Sequence, residues 1–140
     1  MKQFKLVTKY VFGLIFIVAG SLHFMKPHFY LLIMPSYLPF PLALIYISGA
    51  CEIALGALIL IPQYTQFAAW GIIALLIAVF PANVNMVLHP EIFPQVSELA
   101  CWCRLPIQGL LILWAYAYTQ KDKADFDDNS SVKMTSWLNN

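Results

Sequence analysis

One stretch of the sequence limits the fold more than any other: residues 42–61 read LALIYISGACEIALGALILI and carry a single charged side chain, Glu52. A helix of about 20 apolar residues has the length that crosses the hydrocarbon core of a bilayer. Glu52 lies near the middle of the stretch, where a charge costs on the order of 2.5–3.5 kcal/mol on insertion scales. The stretch therefore predicts a membrane helix whose carboxyl group needs a partner, a proton or a polar cavity.

Three further apolar stretches complete the predicted fold, an all-α integral membrane four-helix bundle. The chain is 61% hydrophobic and 11% charged, whereas an ordinary soluble domain has about 25% charged residues. The first span is expected to stay in the membrane, because no convincing cleavage site follows it. A polar cytoplasmic tail over residues 120–140 is expected to follow the four-span membrane domain, residues 1–119. The spans are predicted at residues 6–25, 42–61, 66–88 and 98–118.

Basic residues predict the orientation of the bundle. One side, which holds both termini, carries Lys2, Lys5, Lys9, Lys121, Lys123 and Lys133. Only Lys26 and Arg104 fall on the other side, so the positive-inside rule places both termini in the cytoplasm. The net charge of +1 provides no basic field for nucleic acid, which is excluded as a partner, whereas the lipid bilayer is expected as one.

The connection between the first two spans, residues 27–41, combines prolines with large apolar side chains. It is too broken to span a membrane and too apolar for water. We therefore expect an interfacial segment over the outer mouth of the bundle, with a simple aromatic belt as the alternative. Below it, Gly13 and Gly20 share one face of the first span, on which another helix can approach closely.

Polar side chains cluster in the predicted outer half of the membrane. Besides Glu52, the candidates for a binding site are His23, Ser48, Asn83, Arg104 and Gln108. The long Arg104 side chain can bend inward to pair with Glu52, at the floor of a small pocket that opens to the extracytoplasmic side. In a functional interpretation Glu52 binds or moves a proton, with His23 or Arg104 as its partner. The alternative is a buried ion pair and hydrogen-bonded amides that only fix helix register.

Cys101 and Cys103 are the candidate redox thiols, since they lie near the extracytoplasmic end of the fourth span, where disulfides persist. Two residues apart on a helix, the thiols point to opposite sides, so a disulfide requires local unwinding. Structural cysteines are the favoured alternative. No metal site is predicted, because His89 is the only imidazole nearby, and no catalytic motif is recognisable.

Several short motifs, taken together, resemble one known family. They are Gly20-Ser-Leu-His23-Phe24 with Pro27, Ile33-Met34-Pro35, Leu38-Pro39, Ser48-Gly49 with Glu52-Ile53, AVFPAN at residues 78–83, and Arg104-Leu105-Pro106 with Gln108. The combination is similar to the DoxX-like (DoxX/MauE-related) family of small four-span membrane proteins. The resemblance implies a multi-pass protein of the bacterial inner membrane that serves membrane-linked redox chemistry as an accessory or subunit.

The same resemblance implies a quinone or another small molecule as the ligand of the pocket around Glu52. It also implies a partner subunit of a redox enzyme, with a homo-oligomer as the alternative. On its own the chain is expected to be non-catalytic; as an enzyme it would be a subunit of a quinone-linked oxidoreductase. A non-catalytic assembly factor stays open as a second function, and a small transporter as a third.

Overall fold

The structure, a computed structural model, describes residues 2–120, which fold into α-helices and short 3-10 turns with no strand among them. The predicted all-α class is confirmed, and α1, α3, α4 and α5 are each long and apolar enough to cross a membrane. The predicted tail lies outside the described residues, apart from Gln120. The α-helices are α1 (Lys2–Met25), α2 (Pro27–Ile33), α3 (Pro41–Leu58), α4 (Thr65–Leu88) and α5 (Glu98–Ala117), with 3-10 turns at Pro62–Tyr64 and Pro90–Ile92.

The helix ends follow from local chemistry. Proline opens both α2 and α3, where its missing N–H is not needed. Ser97 caps α5, because its hydroxyl oxygen accepts from the Ala100 N–H at 3.2 Å. The second predicted span was expected to reach residue 61, but α3 ends at Leu58. The reason is Pro62, which disfavours a helical residue before it and leaves Ile61 extended.

The four long helices pack around a shared apolar interior. Helix α1 packs on α3, α3 on α4, and α4 on α5, and the Phe12 ring of α1 meets the Trp114 ring of α5 at 4.8 Å. The short helix α2 lies across one end of this bundle, against α3, α4 and α1. We call this the α2 end and the opposite end, which holds residues 2 and 120, the termini end. The segment predicted to cover the mouth of the bundle is thus observed as α2 and the loop after it, and its place at a membrane interface stays a prediction.

The contact between α1 and α3 depends on glycine. A Cβ atom placed on Gly20 would lie 2.5 Å from the carbonyl oxygen of Gly49, and one placed on Gly56 would lie 2.8 Å from that of Gly13. Real Cβ atoms do not approach an oxygen so closely, so these positions admit only glycine at this helix separation. The face predicted from Gly13 and Gly20 is therefore the one on which α3 packs, backbone against backbone.

Two apolar clusters fill the rest of the interior. The termini-end cluster, entirely apolar, consists of Phe12, Phe16, Ile59, Ala68, Ala69, Ile72, Ile73, Leu76 and Ala115. The α2-end cluster consists of Ile33, Met86, Val87, Phe93 and Cys101. Beyond the first cluster, the Tyr118 hydroxyl donates to the Thr8 hydroxyl at 3.0 Å and accepts from the Trp114 indole N–H at 3.2 Å. These bonds close the termini end with side chains that satisfy one another.

A glycine comparison tests this packing. Gly20→Ala should lower the thermal unfolding temperature in detergent micelles, followed by circular dichroism, because overpacking of a close contact typically costs about 1–3 kcal/mol. Gly109 on α5 is the matched control, since a Cβ there meets nothing within 4 Å. Gly109→Ala should leave the unfolding temperature unchanged or raise it, because alanine favours a helix. Equal unfolding temperatures for the two variants would contradict the glycine contact.

Candidate functional site

The close approach of α1 and α3 brings His23 and Glu52 together. The His23 Nε2 atom lies 3.6 Å from Glu52 Oε1. Both residues are buried, with 8% and 9% of their surfaces exposed. Each packs on a glycine of the opposite helix: a Cβ on Gly49 would meet the Cβ of His23 at 2.7 Å, and one on Gly20 would meet that of Glu52 at 2.9 Å. The glycine contact therefore sets the separation of the two side chains.

The far side of the imidazole determines which nitrogen faces Glu52. His23 Nδ1 lies 3.1 Å from the carbonyl oxygen of Ile45, which can only accept, so Nδ1 carries hydrogen. The Ser48 hydroxyl donates to the same carbonyl at 2.9 Å, and its oxygen lies 3.1 Å from Nδ1. Nε2 is thus left for the carboxyl group of Glu52. A proton between Nε2 and Oε1 gives either a neutral pair or an ion pair.

The second carboxyl oxygen of Glu52 is not satisfied by the protein. Glu52 Oε2 is buried and has no hydrogen-bond partner among residues 2–120. A buried acceptor without a donor typically costs about 1–3 kcal/mol. A proton on the carboxyl group, or a donor from a bound molecule, would remove that cost, so this oxygen marks the open position of the site.

Tyr30 covers the pair from the α2 end. Its ring centroid lies 3.9 Å from that of His23, with the planes tilted by 38°. Burial raises the pKa of the Tyr30 hydroxyl, the Glu52 carboxylate raises that pKa further, and the Arg104 guanidinium lowers it. Tyr30 therefore stays neutral at neutral pH, between an acid and a base. Sequence reasoning missed this residue, because Pro27 breaks the helical period that would have related it to His23.

Arg104 does not occupy the position predicted for it. Within residues 2–120 it makes no ion pair or hydrogen bond, and His23 takes its place beside Glu52. The reason is the glycine contact, which brings α1 and its His23 against Glu52 on α3, whereas α5 packs mainly on α4. Arg104 acts on the site through its charge near Tyr30.

The predicted amides form two separate contacts between helices. Asn83 donates to Gln108 Oε1 at 2.9 Å, and the Gln108 amide donates to the Leu76 carbonyl, so α4 and α5 are joined. Asn85 donates to the Ile33 carbonyl at 2.9 Å and ties the end of α2 to α4. Asn83 and Gln108 thus satisfy each other and leave Glu52 to His23. These contacts agree with the alternative in which the amides only fix helix positions.

The three cysteines are unpaired with one another in the described part of the chain, and the redox role of Cys101 and Cys103 stays a prediction. Cys51, Cys101 and Cys103 are all free thiols. Cys101 is buried in the α2-end cluster, and Cys103 is half-buried. Residues 2–120 contain no group of three or more His, Cys, Asp or Glu side chains that could hold a metal ion. A disulfide between Cys101 and Cys103 is absent, and the packing of Cys101 fits a structural role.

Comparison with known proteins corrects the family assignment. The resemblance to DoxX is wrong, because the family model that matches, over residues 12–119, is a domain of unknown function, DUF8561. The misleading motifs contain residues that a small bundle needs for packing, such as Gly20 and Gly49, and therefore do not distinguish families. No curated protein and no solved structure matches the chain. Since the matched region covers most of its length, the chain belongs to the DUF8561 family.

Proposed function

We propose that this chain is an integral membrane protein in which the His23–Glu52 pair binds a proton and offers a hydrogen-bonding position to a small polar molecule. The observation that supports this most directly is the buried oxygen Glu52 Oε2, which lacks a partner beside an imidazole whose Nε2 faces the same carboxyl group. An ion pair kept only for stability would satisfy both carboxyl oxygens. The redox role and the quinone were implied by the DoxX resemblance and lose their basis with it.

We further propose that α1, α3, α4 and α5 span a plasma membrane of the bacterial inner-membrane type, with the termini end in the cytoplasm. The support is the excess of lysine in the sequence before the first span and after the fourth, which is the asymmetry that the positive-inside rule describes. The α2 end, with His23 and Glu52 beneath it, then faces the extracytoplasmic side. A small transporter is disfavoured, because the termini-end cluster places apolar side chains alone between the pair and the cytoplasm.

A binding or assembly role is the second candidate, and the loop after α2 favours it. Tyr37 is 73% exposed and Phe40 is 80% exposed, and both lie at the α2 end. Phe40 also has a φ of 51°, a left-handed conformation that is uncommon outside glycine. If a membrane protein bound over these aromatic rings, the chain would be a non-catalytic subunit of that complex. The proton-binding pair and such a partner are compatible with each other.

Carbodiimide labelling tests the proton-binding pair. An apolar carbodiimide reacts with protonated carboxyl groups inside a membrane and leaves a stable acylurea, which mass spectrometry locates. We expect an adduct on Glu52 that declines as the pH rises, and no adduct in Glu52→Gln. Glu91 is the internal control for a carboxyl group outside the spans. Its side chain is 68% exposed and accepts a hydrogen bond from His89 at 3.1 Å. An unlabelled Glu52 across the whole pH range would overturn the proposal.

Reporter fusions test the topology. Alkaline phosphatase, which is active only after export, should be active when inserted after Ser36, in the loop at the α2 end, and inactive after Asn140. Green fluorescent protein should show the opposite pattern, since it fluoresces only when it folds in the cytoplasm. The fused proteins should also stay in the membrane pellet after alkaline carbonate washing. An active phosphatase at residue 140 would contradict the proposed orientation.

A further inference from the structure

We propose that protons reach the His23–Glu52 pair from the α2 end alone and that the ring of Tyr30 is the gate on this path. The inference rests on the proposed function, because it concerns access to the same proton-binding pair. Three features of the structure support it: an apolar barrier on one side, a single aromatic cover on the other, and a short helix, separate from the long ones, that carries the cover.

The barrier lies on the termini side of the pair. The termini-end cluster fills the bundle there, and all of its buried side chains, Phe16 and Ile73 among them, are apolar. Beyond it, polar groups bind one another: Lys9 donates to the Thr65 hydroxyl at 3.4 Å, and Thr65 donates to the Ile59 carbonyl at 3.0 Å. A proton moves along water or polar side chains, and the buried side chains of this layer offer it no polar group.

The cover lies on the opposite side of the pair. Ile45 and Ser48 hold the Nδ1 edge of His23, and Tyr30 lies on the face of the imidazole at 3.9 Å. The other titratable group that acts on this position is Arg104 on α5, which lies within electrostatic range of Tyr30. The sequence of α4 contains no titratable side chain. A proton that approaches from the α2 end therefore meets the Tyr30 ring before it meets the imidazole.

The helix that carries Tyr30 is short, and a small set of side-chain contacts holds its far end. Helix α2 has 7 residues and is set apart by a non-helical Lys26 at one end and an extended Met34 at the other. At its far end the Asn85 amide holds the Ile33 carbonyl at 2.9 Å, and Phe29 packs edge-on against Phe93 at 5.8 Å. Together with the burial of Ile33 in the α2-end cluster, this hydrogen bond and these ring contacts hold Tyr30 over His23, and the gate opens when they loosen.

The first arm of the experiment measures sidedness. The protein is placed in sealed vesicles, its orientation is determined by protease access to the tail, and impermeant buffers hold different pH values on the two sides. Carbodiimide labelling of Glu52 should follow the pH on the side of the α2 end and ignore the other. Labelling that followed the termini side, or the mean of both, would overturn the inference while the proton-binding pair stood. Absence of labelling under every condition would overturn both.

The second arm measures gating. After a rapid fall in pH on the α2 side, time-resolved infrared spectroscopy follows the appearance of the carboxyl stretch of protonated Glu52. Tyr30→Ala should speed its appearance by about tenfold, the effect on a rate of removing one ring contact from a barrier. Tyr30→Phe keeps the ring and should match the unchanged protein. Tyr37→Ala, at the same end but 73% exposed, should also leave the rate unchanged.

A variant that weakens the attachment of α2 tests the gate without a change to Tyr30. Asn85→Ala removes the bond to Ile33 and keeps the Tyr30 ring, so it should also speed proton uptake, although by less than Tyr30→Ala. Circular dichroism in micelles establishes that each variant is folded. Unchanged rates in folded Tyr30→Ala and Asn85→Ala would overturn the gate. Faster uptake after Tyr37→Ala as well would also overturn it, because any loss of an aromatic ring at this end would then have the same effect.

Discussion

Helices α1 and α3 meet at Gly13 with Gly56 and at Gly20 with Gly49, where a side chain as small as alanine would collide with the opposite backbone. In lipid, where helices gain little from hiding apolar surface, such close packing is a main source of association. The contact does more than hold two helices. It places His23 over one glycine and Glu52 over another, so the distance between imidazole and carboxyl follows from the separation of the two backbones.

The His23–Glu52 pair makes a buried charge tolerable in two ways. An imidazole beside the carboxyl group can hold the proton or give it up, so the pair can be neutral as a whole in either arrangement. Ile45 and Ser48 fix the imidazole from behind, and that leaves Nε2 for the acid. The buried oxygen Glu52 Oε2 has no donor among the described residues, and Oε1 lies 3.6 Å from His23 Nε2. This open position distinguishes the pair from amides such as Asn83 and Gln108, which are hydrogen-bonded to each other.

The sequence predicts the helices well, because their length and apolar character alone decide whether they can cross a bilayer. It also identifies Glu52 and His23, since polar groups among apolar residues stand out. It offers His23 and Arg104 as alternative partners of Glu52 and cannot decide between them. Arg104 has the longer side chain and the permanent charge, and only the close glycine contact of α1 on α3 favours His23. Tyr30 gives no signal at all, because an aromatic residue in a proline-rich apolar segment is read as interfacial.

The order of the helices along the chain has a consequence for biogenesis. Chains are synthesised from the N-terminus, so in the proposed membrane protein α1 enters the bilayer before α3 does. The imidazole of His23 and the smooth glycine face are then already in place when the segment that bears the acid arrives. Because His23 precedes Glu52 in the chain, Glu52 has a partner for its carboxyl group as soon as it enters the translocation channel or the lipid. Had the two helices been exchanged in the sequence, the acid would have entered first and alone.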